Sequence, residues 1–154
     1  MKKLLALASI ATVGALTVSV QAVAQTAEIP RAYLSVMDMS GKVAKNTGNQ
    51  IYSVSNSNLQ LCWAASGIPL EPANLNKVTE LFIAPSVKAK FVKPGATIKV
   101  ENERSAITSM MGSADGKMIQ TCWRFDQNDP LGKYTLRLNV NDIQFDDLVF
   151  ELVK

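Results

Sequence analysis

The chain has 154 residues, 16 lysines and arginines against 13 acids, two cysteines and no histidine. Without histidine there is no Ser-His-Asp or Cys-His catalysis and no His-ligated zinc or iron. The formal charge of +3 is too small for the broad basic surface that nucleic-acid binding requires.

Met1-Lys2-Lys3 is a short positive start, Leu4 to Val20 is apolar or small without a charge, and Ala22-Val23-Ala24 follows. That order is a secretory signal with cleavage expected after Ala24. As a membrane span the apolar run is short, and Ser9, Thr12, Gly14, Thr17 and Ser19 dilute it. Residues 1–24 are therefore expected to be a cleaved Sec signal, and 25–154 a single domain in the periplasm or outside the cell, with no stable membrane anchor after cleavage. Two of the 16 basic residues leave with the signal, so 14 remain against 13 acids, about +1. About 130 residues suffice for one core.

From 25 to 58 the pattern is the least legible. Ala32 to Met39 is expected to be the first strand, and Lys45 to Asn58 an exposed polar loop. Short alternating runs broken by Gly, Pro, Asn and Asp then predict strands at Leu59 to Ala65, Thr79 to Ala84, Lys88 to Val92, Ala96 to Glu101, Ala106 to Met111 and Lys117 to Asp126. Pro72 to Glu80 has room for one or two helical turns at most. Lys133 to Val140 alternates most cleanly, with Tyr134, Leu136, Leu138 and Val140 on one face. A turn at Asn141-Asp142 leads back to a last strand from Asp147 to Val153, with Leu148, Phe150 and Leu152 on one face. About seven short strands predict an all-β sandwich of immunoglobulin type.

The ending Asp129-Pro130-Leu131-Gly132-Lys133-Tyr134-Thr135-Leu136, a turn, and Phe150-Glu151-Leu152-Val153 resembles the closing hairpin of bacterial immunoglobulin-like domains. The resemblance covers about 25 residues and implies an architecture. Adhesion modules, chaperones and metal carriers all use it, so it implies no single activity.

Gln60-Leu61-Cys62-Trp63 and Gln120-Thr121-Cys122-Trp123 repeat one local pattern. In an oxidising compartment Cys62 and Cys122 are expected to form a disulfide. In the first run Leu59, Leu61, Trp63 and Ala65 share one face. In the second, Ile119, Thr121, Trp123 and Phe125 do. Both tryptophans then fall on the apolar face and both cysteines on the polar one. This parity places the bridge on the outside, between neighbouring strands, instead of in the core as in antibody domains. The alternative is a tryptophan exposed beside the bridge as a binding platform.

Other chemistry is thinly supported. Glu101/Glu103 and Asp146/Asp147 are neighbouring acids of the sort that can work as a pair, yet such acids are mostly solvated loop charges. Asp126, Asn128, Asp129, Asp142, Asp146 and Asp147 are expected to meet at one end of the domain, where their oxygens could hold calcium, though no calcium motif is present. Met37 and Met39, with Met110, Met111 and Met118, offer thioethers suited to Cu(I), without the histidine that copper carriers ordinarily add. No catalytic residue, metal or cofactor is assigned. The reading is a non-enzymatic module that binds an envelope protein or glycan. A periplasmic enzyme inhibitor or accessory factor of an envelope machine, and a small-ligand or copper carrier, are the alternatives. The binding residues expected are Met110, Met111, Met118 and Asp115, around the turn from Gly112 to Lys117, since exposed methionines make adaptable contact surface.

Overall fold

The computed structural model describes residues 28–73 and 75–154. The expected signal over 1–24 lies outside the described residues. Eleven strands form among them: β1 (Arg31–Asp38), β2 (Lys45–Asn46), β3 (Ile51–Ser53), β4 (Leu59–Ser66), β5 (Asn76–Ile83), β6 (Thr97–Glu101), β7 (Arg104–Met111), β8 (Met118–Trp123), β9 (Gly132–Val140), β10 (Ile143–Gln144) and β11 (Leu148–Val153). A small sheet runs β2-β1-β4-β8. A large one runs β3-β11-β9-β5-β7-β6, with β10 folded back on β9. Alternation along the strands puts one apolar face of each sheet inward, and the two faces close over a single core.

The strand count exceeds the seven expected because β2, β3 and β10 are only two or three residues long and pair at or near sheet edges. Leu34, Val36, Leu61, Trp63, Ala65, Ile119 and Trp123 fill the core from the small sheet. Val78, Phe82, Ile107, Tyr134, Leu136, Leu138, Val140, Phe150 and Leu152 fill it from the large sheet. The clean alternation of β9 is thus realised in full. Asn141 and Asp142 both adopt positive φ, as a tight turn between twisted strands requires. Asn141 also accepts the Lys77 N–H and donates to Asn76, which ties this turn to the start of β5. The Tyr134 hydroxyl donates to the Pro130 carbonyl at 2.7 Å, fixing the entry to the closing hairpin.

Three expectations are corrected. The stretch from Lys45 to Asn58 is not simply an exposed loop: it holds β2 and β3, and Tyr52 and Val54 are buried. β3 runs parallel to β11, and the Tyr52 hydroxyl donates to the Leu59 carbonyl at 2.9 Å and accepts the Phe125 N–H at 3.2 Å. Second, no helical turn forms between Pro72 and Glu80 among the described residues. β5 begins at Asn76, whose buried amide is held by Glu71, Met111 and Asn141. Third, Lys88 to Val92 is extended cover and not a strand. Its alternation is real, with Ala89 and Phe91 turned to the core and Lys88, Lys90 and Val92 exposed, but no neighbouring strand pairs with it.

Gly67, just beyond β4, has φ +72°, and a Cβ there would collide with the Ile29 carbonyl. Only glycine lets the chain before β1 lie this close to the end of β4.

Candidate functional site

The two Cys-Trp pairs sit side by side. β4 and β8 are antiparallel neighbours, and Cys62 lies directly opposite Cys122. The two are bonded, with their Cα atoms 4.0 Å apart. The bridge joins adjacent strands on the outer face of the small sheet, as parity predicts, and both tryptophans point inward, 1% and 8% exposed. The tryptophan-platform alternative is thereby overturned.

Inside, the indoles converge on one acid. Glu80, from the centre of β5 in the opposite sheet, is fully buried. Its Oε1 accepts the Trp63 Nε1–H at 2.6 Å and the Trp123 Nε1–H at 2.7 Å. Its Oε2 accepts from the Lys93 ammonium at 2.6 Å. Lys93 also stands 5.6 Å from the centre of the Trp123 ring and 3.7 Å from the Met111 sulfur. A lone buried carboxylate costs several kcal/mol, so three charge-assisted donors are what allow Glu80 to stay inside. Sequence reasoning missed this centre. The available signal was Glu80 lying in phase with Val78 and Phe82, a charge where alternation calls for an apolar residue.

Lys93 ends the Lys88–Lys93 cover, and its ion pair with Glu80 anchors that segment. Phe91 stacks on Phe82 with ring centres 4.4 Å apart and meets Trp123 edge-on at 5.7 Å. Between this cover and the chain beyond β8 lies a cleft of about 590 Å³. Phe91, Trp123 and Phe125 contribute its apolar side, Lys88, Lys90 and Arg124 its cations, and Asp126 and Asp129 its acids. Burial raises the Asp129 carboxyl above its ordinary value and the Asp126 charge adds to this, while the Asp126 N–H it accepts at 2.8 Å acts in the opposite sense.

A second groove, of about 430 Å³, opens over the disulfide on the outer face of the small sheet. Met37, Met39 and Ala44 line it together with Cys62 and Cys122. The amide of Gln60 on the same face meets Arg124, whose Nη2 and Nε lie 2.7 and 3.0 Å from its oxygen when the amide is oriented by its partners.

The structure separates the expected methionine site. Met110 is 54% exposed on the outer face of the large sheet, while Met118 alternates with Gln120 and Cys122 onto the outer face of the small one. Met111 is half-buried and packs against the core. Asp115 organises the turn between them. Its Oδ1 accepts the N–H groups of Lys117 and Met118, which hold its carboxyl below the usual carboxylate range.

The acids expected to gather do not. Asp126 and Asp129 precede β9 and Asp142 follows it, about 30 Å away at about 3.3 Å per strand residue. Asp147 is engaged by Arg137 at 2.7 Å. Among the described residues no three His, Cys, Asp or Glu side chains group as a metal set. Glu101, Glu103, Asp146 and Asp147 are all exposed.

A family profile described as the PM0630 beta sandwich domain matches residues 32–153. The uncharacterized protein PM0630 of Pasteurella multocida is 30% identical over 129 residues, covering 81% of this chain and 79% of its own length. In architecture the chain is similar to an immunoglobulin-like protein from Pseudomonas aeruginosa, with a TM-score of 0.52 at 11% identity over 83% of this chain and 99% of that one. That likeness carries the immunoglobulin-type fold and nothing about activity.

Proposed function

The chain belongs to the PM0630 β-sandwich family, and from that premise we propose that it is an exported, non-enzymatic recognition module of the cell envelope. Its partner is a protein or glycan that presents negative charge next to an apolar surface. The cleft beside Phe91 carries this reading: three cations, Lys88, Lys90 and Arg124, outnumber its two acids around an aromatic side. Clefts with a few convergent polar groups over apolar walls are the usual form of a binding site. The segment forming one wall is held by the buried Lys93–Glu80 pair, which keeps the cleft preformed and lowers the ordering cost of binding. Export is supported by the leading 24 residues and by a disulfide, a bond that persists in oxidising compartments.

The test compares capture of acidic and neutral glycans, and of envelope proteins, by wild type, by K88E/K90E and by K99E on the distant β6. Binding should fall at least about tenfold in K88E/K90E, since each reversal turns an attraction into a repulsion of roughly 1 kcal/mol. It should be unchanged in K99E. Equal retention by all three proteins would refute the cleft as the site. Met110 supports a second, smaller contact surface through its exposure. Loss of partner capture in M110S at unchanged stability would identify it.

A further inference from the structure

The disulfide faces solvent unevenly. Cys122 is exposed and Cys62 half-buried. Their strands differ in the same sense, since β4 lies between β1 and β8, whereas β8 is an edge with no strand beyond it. Ser35, Cys62 and Cys122 form one row across the three strands. The bond between the cysteines therefore runs across the sheet, from the centre of the small sheet towards its free edge.

A thiolate that opens a disulfide approaches along the sulfur–sulfur axis, so access decides which sulfur is attacked. The in-line path to Cys62 comes from β1, where Ser35 occupies the row and its hydroxyl accepts from Asn46 at 3.1 Å. The path to Cys122 comes from beyond β8. There a pocket of about 180 Å³ lies between Cys122 and Val92, Lys93 and Pro94. Arg124, two residues on, alternates onto the face of Cys122 but reaches back over β4 to the Gln60 amide, so it leaves the approach from beyond β8 open.

We infer that Cys122 Sγ is a modification site, the atom at which an external thiol enters the bridge of the folded protein. The thiolate forms a bond to Cys122 Sγ while the Cys62–Cys122 bond breaks, and Cys62 leaves as a thiolate. The entering thiol and Cys122 share the new mixed disulfide. A second thiol, or the second sulfur of a dithiol, attacks the entering sulfur. That step releases Cys122 as a thiolate and completes a two-electron reduction paid in thiol oxidation. Exposed disulfides are the ones that exchange with thiols, whereas buried structural ones resist.

The experiment treats the oxidised protein with reduced glutathione under native conditions, quenches early with N-ethylmaleimide and maps the peptides. Glutathione should be found on Cys122 and the maleimide on Cys62, with at least about tenfold preference over the reverse. V92E and V92K change the charge of the pocket at a residue 84% exposed. They should slow and speed the opening about threefold each, with unchanged unfolding midpoints. Glutathione chiefly on Cys62, an opening rate no faster than global unfolding, or equal rates in both Val92 variants would each overturn the inference.

Discussion

The inner and outer faces of the small sheet are built from the same two four-residue runs, and each face carries its own cross-connection. Outside, Cys62 and Cys122 join two strands that are already hydrogen-bonded neighbours, so the bond fixes a pairing within one sheet. Inside, Trp63 and Trp123 reach across to Glu80 and join one sheet to the other without a covalent bond. The covalent link acts by restricting the unfolded chain, since it closes a separation of 60 residues. The carboxylate acts in the folded state, where its donors replace the water it has lost. Sequence spacing sets both at once, because consecutive residues of a strand point to opposite faces.

Breaking the inner connection should have the larger effect. E80A leaves two indole N–H groups and a largely buried ammonium without their acceptor, and should cost about 3–5 kcal/mol. E80Q keeps an oxygen for the indoles and should cost less; urea unfolding of both variants checks the order. Removing the outer connection in C62A/C122A should cost about 2–4 kcal/mol. Its effect should be close to additive with that of E80Q if the two connections act in different states of the chain. A double-mutant cycle measures this.

The unequal legibility of the two faces follows from their chemistry. A two-residue period was enough to place the bridge outside and the tryptophans inside, and to give β1, β4, β7, β9 and β11 nearly as they form. Glu80 escaped notice because a single acid in an apolar run is read as a solvated charge unless its donors are known. Those donors come from β4, β8 and the cover, at sequence separations of 17, 43 and 13. β3 escaped for a related reason. It is three residues long and gains its place from β11, about a hundred residues away. In Lys88 to Val92 the in-and-out sense was legible, but whether a neighbouring strand stands beside it is a property of the fold alone. That the expected binding methionines lie apart was not legible either: the turn after Met111 carries the chain from one sheet to the other, so flanking residues part to opposite faces.

W63F and W123F sharpen the comparison at smaller cost. Each removes one donor to a charged acceptor and should cost about 1.5–3 kcal/mol by urea unfolding. Their effects should be non-additive, because the two indoles share one oxygen. The smallest effect belongs to the turn joining the sheets. The Asp115 carboxyl is lowered by the Lys117 and Met118 N–H groups. Its contribution is therefore present above the ordinary carboxylate value and lost as pH falls through the lowered one. The stability difference between wild type and D115A should be measurable near neutral pH and vanish in acid.

The shared carboxylate is tested most directly by hydrogen exchange at the indole N–H groups, read by nitrogen-resolved NMR. The chain has two tryptophans, so the two signals are assigned by W63F and W123F. Both indole protons should be strongly protected in the wild type, and both should lose protection together in E80A, by more than the backbone amides of β4 and β8 do. Protection of one indole alone in the wild type, or of both unchanged in E80A, would contradict a single acid holding both.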